Sequence, residues 1–213
     1  MKIQLVDGKH RSHLLPLTYT RPVAELRCGI ITIAEKYTKR GHEIGYGTEA
    51  YLNAKYPSIE AEVLVSGSVC PTDAFLEAVA GLSAGQALIQ GDELLAFKGE
   101  KWEDEPSEII PFSGALNLIT RPWDIWSKNA SELNLDFDLL TKDRFSAPID
   151  ATNTVIGDRV FLEEGAKATA SILNATSGPI YLSKNAEIME GCIVRGGLAL
   201  GESSALKMGA KIY

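Results

Sequence analysis

The sequence predicts an α/β fold followed by a β-solenoid, and three observations support this prediction. Apolar runs alternate with helix-like segments from residue 2 to residue 97. The stretch LTKDRFSAPID, residues 140–150, has the composition of a linker. Past residue 150, aliphatic side chains recur every six positions, a period that neither an α-helix nor a single strand produces. We therefore expect two domains, residues 1–145 and residues 151–213.

The first half opens with a strand and a capped helix. The run KIQLV, residues 2–6, predicts the first strand. Thr32 followed by Glu35 forms the pattern of a capping box, so a helix should begin there. That helix should end near Arg40, because Gly41 can adopt the left-handed conformation of a C-terminal cap.

Further strands and helices follow in alternation. The expected elements are a strand EIGYG at 43–47, a short helix at 50–56, a strand VLVS at 63–66 and a helix opened by Thr72 and Asp73. The runs ALIQ and LLAF flank Gly91-Asp92, a turn that predicts a hairpin. This order is typical of a mostly parallel sheet that is covered on both faces and binds ligands at the carboxyl ends of its strands.

Two segments follow before the linker. KGEKWEDEPSEIIPFSG, residues 98–114, is acidic and interrupted by proline, which indicates a hairpin or a surface excursion. PWDIWSKN, residues 122–129, predicts a helix.

The repeat past residue 150 predicts a triangular β-solenoid. Each six-residue unit should form one short strand and one corner, with the aliphatic side chain pointing inwards and a small residue four positions later. Residues 168–181 break the register by two, which indicates a corner excursion ending at SGPIY. The expected inward-facing positions are Ile156, Leu162, Leu182, Ile188, Val194, Leu200, Leu206 and Ile212.

The chain stops within this pattern, because Ile212-Tyr213 begins another unit. A solenoid without a terminal cap exposes strand edges and apolar core. We expect either that the chain is a fragment of a longer protein or that a partner covers this end, and we favour the fragment.

Composition excludes several classes of function. The formal net charge is −7 and no run of Lys or Arg occurs, so nucleic acid is not the expected partner, whereas a small anionic ligand needs only a few local cations. Neither a signal peptide nor a membrane-spanning run is visible. The three cysteines, Cys28, Cys70 and Cys192, are far apart and are expected to be reduced core residues of a cytoplasmic protein.

Four stretches resemble the bifunctional sugar-phosphate nucleotidyltransferase / hexapeptide acyltransferase family. LLPLTYTRPVAEL is similar to the PLT-x-TRP-K segment of that family, and ITRPWDIWSKN is similar to its PWDL-x-x-N segment. SGPIYLSKNAEIMEGCIVRG and LGESSALKMGAKIY resemble its first solenoid coils. The resemblance implies a mixed sheet with flanking helices and then the start of a left-handed parallel β-helix of hexapeptide repeats.

The resemblance also implies a reaction. A sugar-1-phosphate would attack the α-phosphorus of a nucleoside triphosphate, giving a nucleotide sugar similar to UDP-N-acetylglucosamine and releasing pyrophosphate. Such chemistry uses backbone amides, cations and carboxylates that hold Mg²⁺. The family's acyltransferase residues lie on later coils, so none is assigned to this chain.

By this resemblance, Gly8, Lys9 and Arg11 occupy the phosphate loop, although DGKHRSH lacks the second glycine of the family's loop. A surface loop with incidental charge is the alternative. Val23 stands where the family has a phosphate-binding lysine. Arg21, with Arg11, is therefore a candidate catalytic residue and Arg27 a candidate phosphate ligand; either Arg21 or Arg27 could instead be a structural or solvated arginine.

The expected metal site departs from the family. Ser68 stands where the family has a metal-binding aspartate, so it is assigned to substrate binding. Asp124 is the best remaining Mg²⁺ ligand, and a role in the first helical turn is its alternative. Asp7 could add a carboxylate or repel phosphate. His10 and His13 have no metal-ligand spacing and are expected at the surface.

Three hypotheses follow. The first is a sugar-1-phosphate nucleotidyltransferase joined to an incomplete acyltransferase β-helix. The second is a catalytically decayed nucleotide-sugar-binding or regulatory module, motivated by Val23 and Ser68. The third treats the solenoid as an oligomerisation prism, and the implied assembly is a trimer.

Overall fold

The computed structural model describes residues 1–213, which divide into two compact units, Met1–Lys128 and Asn129–Tyr213. This division lies before the linker that the sequence predicts at 140–150, because the helix Asn129–Thr141 makes its contacts within the second unit. None of the helices has the length and apolar character that crossing a membrane requires.

The first unit is a mixed α/β fold. Its strands are β1 (Lys2–Val6), β2 (Glu43–Gly47), β3 (Val63–Ser66), β4 (Val69–Cys70), β5 (Gln86–Gln90), β6 (Glu93–Phe97), β7 (Glu108–Pro111) and β8 (Asn117–Leu118). Its helices are α1 (His10–His13), α2 (Ile33–Thr38), α3 (Asp73–Ala80) and α4 (Pro122–Ser127), with 3₁₀ turns at Val23–Glu25 and Ala50–Leu52.

Six strands form the main sheet in the order β2-β1-β3-β6-β5-β7. Strands β2, β1 and β3 are parallel, and β5 pairs with β7 in parallel. Strand β6 runs antiparallel to both β3 and β5. The hairpin predicted at Gly91-Asp92 is confirmed, and the sheet is mixed because this hairpin reverses one of its strands.

The helix caps that the sequence predicts are present in the structure. The Thr32 hydroxyl accepts a bond from the Glu35 N–H, and the Glu35 carboxylate accepts one from the Thr32 N–H, which completes the capping box. Thr72 caps α3 through the Phe75 N–H. Gly41 has φ +81°, a left-handed conformation in which glycine is favoured.

The two faces of the sheet are covered differently. On one face, Ile3, Leu5 and Val65 pack in a core that includes Tyr37 of α2 and Phe75 of α3. On the other, a smaller buried cluster of Leu64, Ala87 and Phe97 has Trp102 packed against it. The segment containing Trp102 therefore packs against the face opposite the main core.

The segment 98–114 is not a hairpin. Its first part forms turns and bends without a strand, and its second part supplies β7, which joins the edge of the sheet beside β5. Of the two alternatives that the sequence left open, the structure shows an excursion that returns to the sheet.

The second unit contains one helix and ten short strands. The helix α5 (Asn129–Thr141) was not predicted, although Leu133, Phe137 and Leu140 have helical spacing and are buried. The strands are β9 (Thr154–Ile156), β10 (Val160–Leu162), β11 (Lys167–Ala168), β12 (Ile172–Asn174), β13 (Ile180–Leu182), β14 (Glu187–Ile188), β15 (Ile193–Arg195), β16 (Leu198–Leu200), β17 (Ala205–Leu206) and β18 (Lys211–Ile212).

These strands belong to three wholly parallel sheets, β10-β13-β16, β11-β14-β17 and β18-β15-β12-β9. Consecutive strands from β10 onwards fall into the three sheets in turn, so every strand pairs with the strand three positions later. This arrangement is compatible with a β-helix. It also accounts for the six-residue period, since each unit passes from one sheet to the next.

The register places aliphatic residues in three columns. The columns are Leu162-Leu182-Leu200, Ala168-Ile188-Leu206 and Leu173-Val194-Ile212. Ala168 thus keeps the repeat, and Leu173 follows it one residue early. The break predicted over 168–181 therefore combines this lost residue with three additional residues, which lie in the bend at 176–178.

The inward position predicted for Ile156 is wrong. Ile156 pairs with Asn174 and is 42% exposed, whereas its neighbour Val155 aligns with Leu173. Because Leu162 follows Val155 by seven positions, one more than in a regular unit, a six-residue frame extended backwards from Leu162 selects the adjacent side chain. The three cysteines are buried thiols outside any disulfide, as expected.

Candidate functional site

Asp7 organises the carboxyl end of β1. It is buried and accepts hydrogen bonds from the Val23 N–H at 2.6 Å, the Thr48 hydroxyl at 2.6 Å and Arg11 Nη1 at 3.1 Å. These donors come from the 3₁₀ turn at 23–25, the residue after β2 and α1. With three donors in place, the carboxylate holds this edge together and is not available as a free ligand.

Gly8 turns the chain directly after Asp7. Its φ of +55° is a left-handed conformation, and a Cβ at this position would lie 3.4 Å from Trp102 Nε1. Glycine thus allows both the turn and the close approach of the indole. Lys9 follows, and its largely exposed ammonium lies 3.1 Å from Glu93 Oε1.

Arg11 is engaged on several sides. Besides Asp7, it donates a 2.6 Å bond to the Tyr51 hydroxyl, lies 3.5 Å from Glu49 Oε1 and approaches the Arg21 carbonyl at 3.5 Å. Its side chain is only 12% exposed. Because two carboxylates already face the guanidinium, Arg11 is better placed to hold the loop than to meet a phosphate.

His10 is buried, so its predicted surface position is wrong. Its Nε2 lies 2.8 Å from Glu93 Oε2, across the turn between β5 and β6. Burial alone would raise the pKa of Glu93, but hydrogen bonds from His10 and Lys9 hold this pKa below its usual value. His13, three residues later, is exposed as expected.

A cavity of about 480 Å³, here called the loop cavity, opens at the carboxyl ends of β1 and β2. Its size is in the range of small-molecule sites. Glu100, Lys101, Trp102 and Glu103 line it from the excursion. The remaining walls are Gln4, Val6, Asp7, Gly8, Arg11, Gly47, Thr48, Glu49 and Leu64.

A second cavity of about 320 Å³, here called the histidine cavity, shares Gly8, Trp102 and Glu103 with the loop cavity. Trp102 therefore contributes to the walls of both. The other residues that line the histidine cavity are Lys9, His10, Ser66, Asp92, Glu93 and Leu94.

Arg21 and Arg27 line a different, polar cavity of about 580 Å³, here called the arginine cavity, together with Thr20, Glu25, Thr32, Glu35, Lys55 and Tyr56. Arg27 donates to the Ile30 carbonyl and lies 3.9 Å from Glu35 Oε2. The Arg21 side chain is exposed and has no ion pair. Arg21 is thus the freer of the two cations.

Ser68 lies in the core. It is 1% exposed, and its hydroxyl is 2.8 Å from that of Ser66. Val23 is also fully buried. The two positions at which the sequence departs from the family's cation and carboxylate are therefore packed inside the unit.

Asp124 lies in the first turn of α4. It accepts bonds from the Thr120 N–H at 2.8 Å, the Thr120 hydroxyl at 2.9 Å and the Arg121 N–H at 2.9 Å, and Lys128 Nζ lies 3.4 Å away. Burial alone would raise the pKa of Asp124, but these bonds and the Lys128 ammonium hold it below its usual value.

The residues present do not fit a protein-held Mg²⁺ ion. The donors around Asp124 occupy its carboxylate, and no group of three or more His, Cys, Asp or Glu side chains is arranged to hold a metal. Of the alternatives for Asp124, the contacts favour the helix-capping role.

Of the predicted site residues, Gly8 and Arg11 line the loop cavity, Gly8 and Lys9 line the histidine cavity, and Arg21 and Arg27 line the arginine cavity. Sequence reasoning missed Trp102, Lys101 and the pair of His10 with Glu93. The one signal for Trp102 was a lone aromatic residue in an otherwise polar, acidic segment. Nothing in the local sequence links residue 10 to residue 93.

Comparison with known protein families gives a match over nearly all of the first unit and all of α5. The profile of the family described as sugar nucleotidyl transferase matches residues 3–145. A comparison with curated proteins finds no significant match. Since the family match covers more than half of the chain and includes all three cavities, this protein belongs to the sugar nucleotidyl transferase family.

Proposed function

We propose that the first unit is a sugar-1-phosphate nucleotidyltransferase that forms a nucleotide sugar. The observation that supports it most is the loop cavity, which lies at the carboxyl ends of parallel strands within the region that matches the family. Ligands of open α/β sheets bind at this edge. The resemblance to the bifunctional family favours a product similar to UDP-N-acetylglucosamine.

In the proposed reaction, a phosphate oxygen of the sugar-1-phosphate attacks the α-phosphorus of the nucleoside triphosphate. A new P–O bond forms, the bond between the α-phosphorus and the bridging oxygen breaks, and pyrophosphate leaves with that oxygen. Catalysis of such a transfer consists mainly of positioning and charge stabilisation.

The named residues would divide these tasks. The backbone around Gly8 and the ammonium of Lys9 would approach the phosphates. Arg21, whose guanidinium has no ion pair, would stabilise the charge that develops, and Arg27 would help to bind phosphate. Arg11 would act as a positioning residue through Asp7.

Mg²⁺ enters this proposal as a partner of the triphosphate substrate. The resemblance implies the ion, yet the carboxylates of Asp7 and Asp124 are committed to Arg11, Lys128 and backbone donors. No step of the reaction is assigned to a resident metal.

A catalytically decayed nucleotide-sugar-binding module is the second candidate. The burial of Val23 and Ser68 favours it, since the positions where the family has a cation and a carboxylate no longer face a cavity. Binding without turnover would distinguish this candidate from an active enzyme.

For the second unit, we propose a left-handed parallel β-helix of an acyltransferase domain. The rotation of consecutive strands among three parallel sheets supports the β-helix. Its resemblance to the bifunctional N-acetylglucosamine-1-phosphate uridyltransferase / glucosamine-1-phosphate acetyltransferase supports the activity. Such prisms can associate as trimers, so sedimentation of the chain at trimer mass would support this part of the proposal, and a monomer would contradict it.

The nucleotidyl transfer is tested with purified protein, a panel of sugar-1-phosphates, nucleoside triphosphates and Mg²⁺. Pyrophosphate release supports the enzyme, and calorimetric binding of a nucleotide sugar without release supports the decayed module. If the protein neither releases pyrophosphate nor binds a nucleotide sugar, both candidate functions are overturned. The matched variants are Arg21→Ala, which should lower release, and Arg195→Ala, which removes an exposed cation outside the cavities.

A further inference from the structure

His10 has one bonded and one unbonded ring nitrogen. The residue is 7% exposed, and its Nε2 lies 2.8 Å from Glu93 Oε2. Its Nδ1 is buried and has no hydrogen-bond partner. It is the only side-chain atom in the chain that is buried without such a partner. An unpaired buried polar atom costs free energy, so its presence calls for a functional explanation.

The contact with Glu93 determines which nitrogen of His10 carries the proton. Glu93 also faces the Lys9 ammonium, and these contacts keep its carboxylate ionised. An ionised carboxylate only accepts hydrogen bonds, so Nε2 of the imidazole donates to it, and when the ring carries a single proton that proton is on Nε2. Nδ1 is then left with a lone pair and acts as an acceptor. A carboxylate that orients a histidine in this way is a common arrangement in binding and catalytic sites.

The surroundings of His10 match a ligand that combines a ring with a polar donor. The histidine cavity holds about 320 Å³ and is lined by the Trp102 indole and Leu94 beside His10 and Lys9. An aromatic wall favours a flat or weakly polar ring face, and a nearby acceptor favours an N–H or O–H group on that ring.

We propose that His10 is a substrate-binding residue whose Nδ1 accepts a hydrogen bond from a ring N–H or O–H of the ligand, with Glu93 as its positioning residue. This inference rests on the proposed function, because the ligand is part of a nucleotide sugar or of its precursors. The donor belongs either to the nucleobase or to the sugar ring. Because Nδ1 is screened from solvent in the free protein, binding must be accompanied by movement of a side chain in the cavity wall.

Two substitutions of His10 separate its two nitrogens. His10→Gln keeps a side-chain amide near the position of Nε2, where it can still meet Glu93, but removes the acceptor at the position of Nδ1. His10→Asn keeps an acceptor near Nδ1 and removes the contact with Glu93. His13→Gln is the matched control on the same helix, because His13 is exposed. Thermal unfolding of all three variants checks that they remain folded.

The binding of a nucleoside triphosphate, a nucleoside, a nucleotide sugar and a sugar-1-phosphate is measured by calorimetry. We expect His10→Gln to weaken binding by about tenfold, the loss of one buried hydrogen bond, and His10→Asn to weaken it less. His13→Gln should bind as the unmodified chain does. Weaker binding of the nucleoside identifies a donor on the base or its ribose, and weaker binding confined to the nucleotide sugar and the sugar-1-phosphate identifies a donor on the transferred sugar.

Nitrogen-15 NMR of the histidine rings provides a readout that a purely structural role would not change. We expect an unprotonated Nδ1 in the free protein and an upfield shift of this nitrogen alone when ligand binds. A protonated Nδ1 in the free protein, or no shift on binding, overturns the assignment. Equal binding by folded His10→Gln overturns the inference but leaves the proposed function intact, whereas failure of the unmodified chain to bind any probe overturns both.

Discussion

The Thr48 hydroxyl donates a 2.6 Å hydrogen bond to Asp7 Oδ2, and this contact joins the residues that follow β2 and β1. The same oxygen accepts from Arg11, while Oδ1 accepts from the Val23 N–H. One carboxylate thus holds the edge of the loop cavity in place. Its loss should affect both stability and ligand binding.

Asp7→Asn should lower the free energy of unfolding by about 2 kcal/mol, because it removes a buried charge from three donors and presents an amide N–H₂ to one of them. Thr48→Val removes a single donor and should cost about 1 kcal/mol. Urea denaturation measures both values. An Asp7→Asn chain as stable as the unmodified one would show that the carboxylate does not hold this edge.

Asp124→Ala should lower the free energy of unfolding by about 1 kcal/mol at neutral pH, since it removes the capping contacts of α4. The pKa of Asp124 is lower in the folded state than the ordinary value of 3.8. Its contribution is therefore complete above that value and is lost as the pH falls through the folded pKa. The difference in unfolding free energy between Asp124→Ala and the unmodified chain should therefore shrink in the same acidic range.

Asp92→Ala is the control for this experiment, because Asp92 is exposed in the hairpin turn. Its stability should match that of the unmodified chain at every pH. A metal-binding role for Asp124 would give the opposite pattern, with unchanged stability in Asp124→Ala and a loss of Mg²⁺-dependent ligand binding.

Trp102→Ala should weaken binding of nucleotide sugar by about tenfold, because the indole lines both the loop cavity and the histidine cavity and can stack on a ring. Trp126→Ala is the matched control, since Trp126 is 74% exposed on α4 and lines neither cavity. Calorimetry with the same ligand compares them. Equal affinity in both variants would remove Trp102 from the binding site.

Leu182→Ala should cost about 3 kcal/mol of unfolding free energy, because Leu182 is fully buried in the middle of an aliphatic column. Ile156→Ala should change stability by less than about 0.5 kcal/mol, since its side chain is 42% exposed outside the columns. Chemical denaturation of the two variants tests the register directly. A large loss of unfolding free energy in Ile156→Ala would indicate instead that Ile156 points inwards, as the uninterrupted six-residue frame predicts.

The periodic and local features of this protein were predictable from the sequence. The six-residue spacing of Leu182, Ile188 and Val194 reflects the repeated passage from strand to corner, and each side chain is buried. The Thr32 and Glu35 capping box depends on bonds within four residues. The backward extension to Ile156 failed because seven positions separate Val155 from Leu162, and a period carries no information about where a unit gains a residue.

The loop after β1 shows what only the tertiary structure decided. The sequence by itself determined that Gly8, Lys9 and Arg11 are adjacent and that glycine permits the turn. It did not determine that Asp7 and Glu49 occupy the Arg11 guanidinium, that Glu93 orients His10, or that Trp102 covers Gly8. Apart from the pair of Asp7 and Arg11, those contacts join residues 38 to 94 positions apart. Hydrogen bonding and packing at such separations are determined by how the strands pair in the sheet and not by any local pattern.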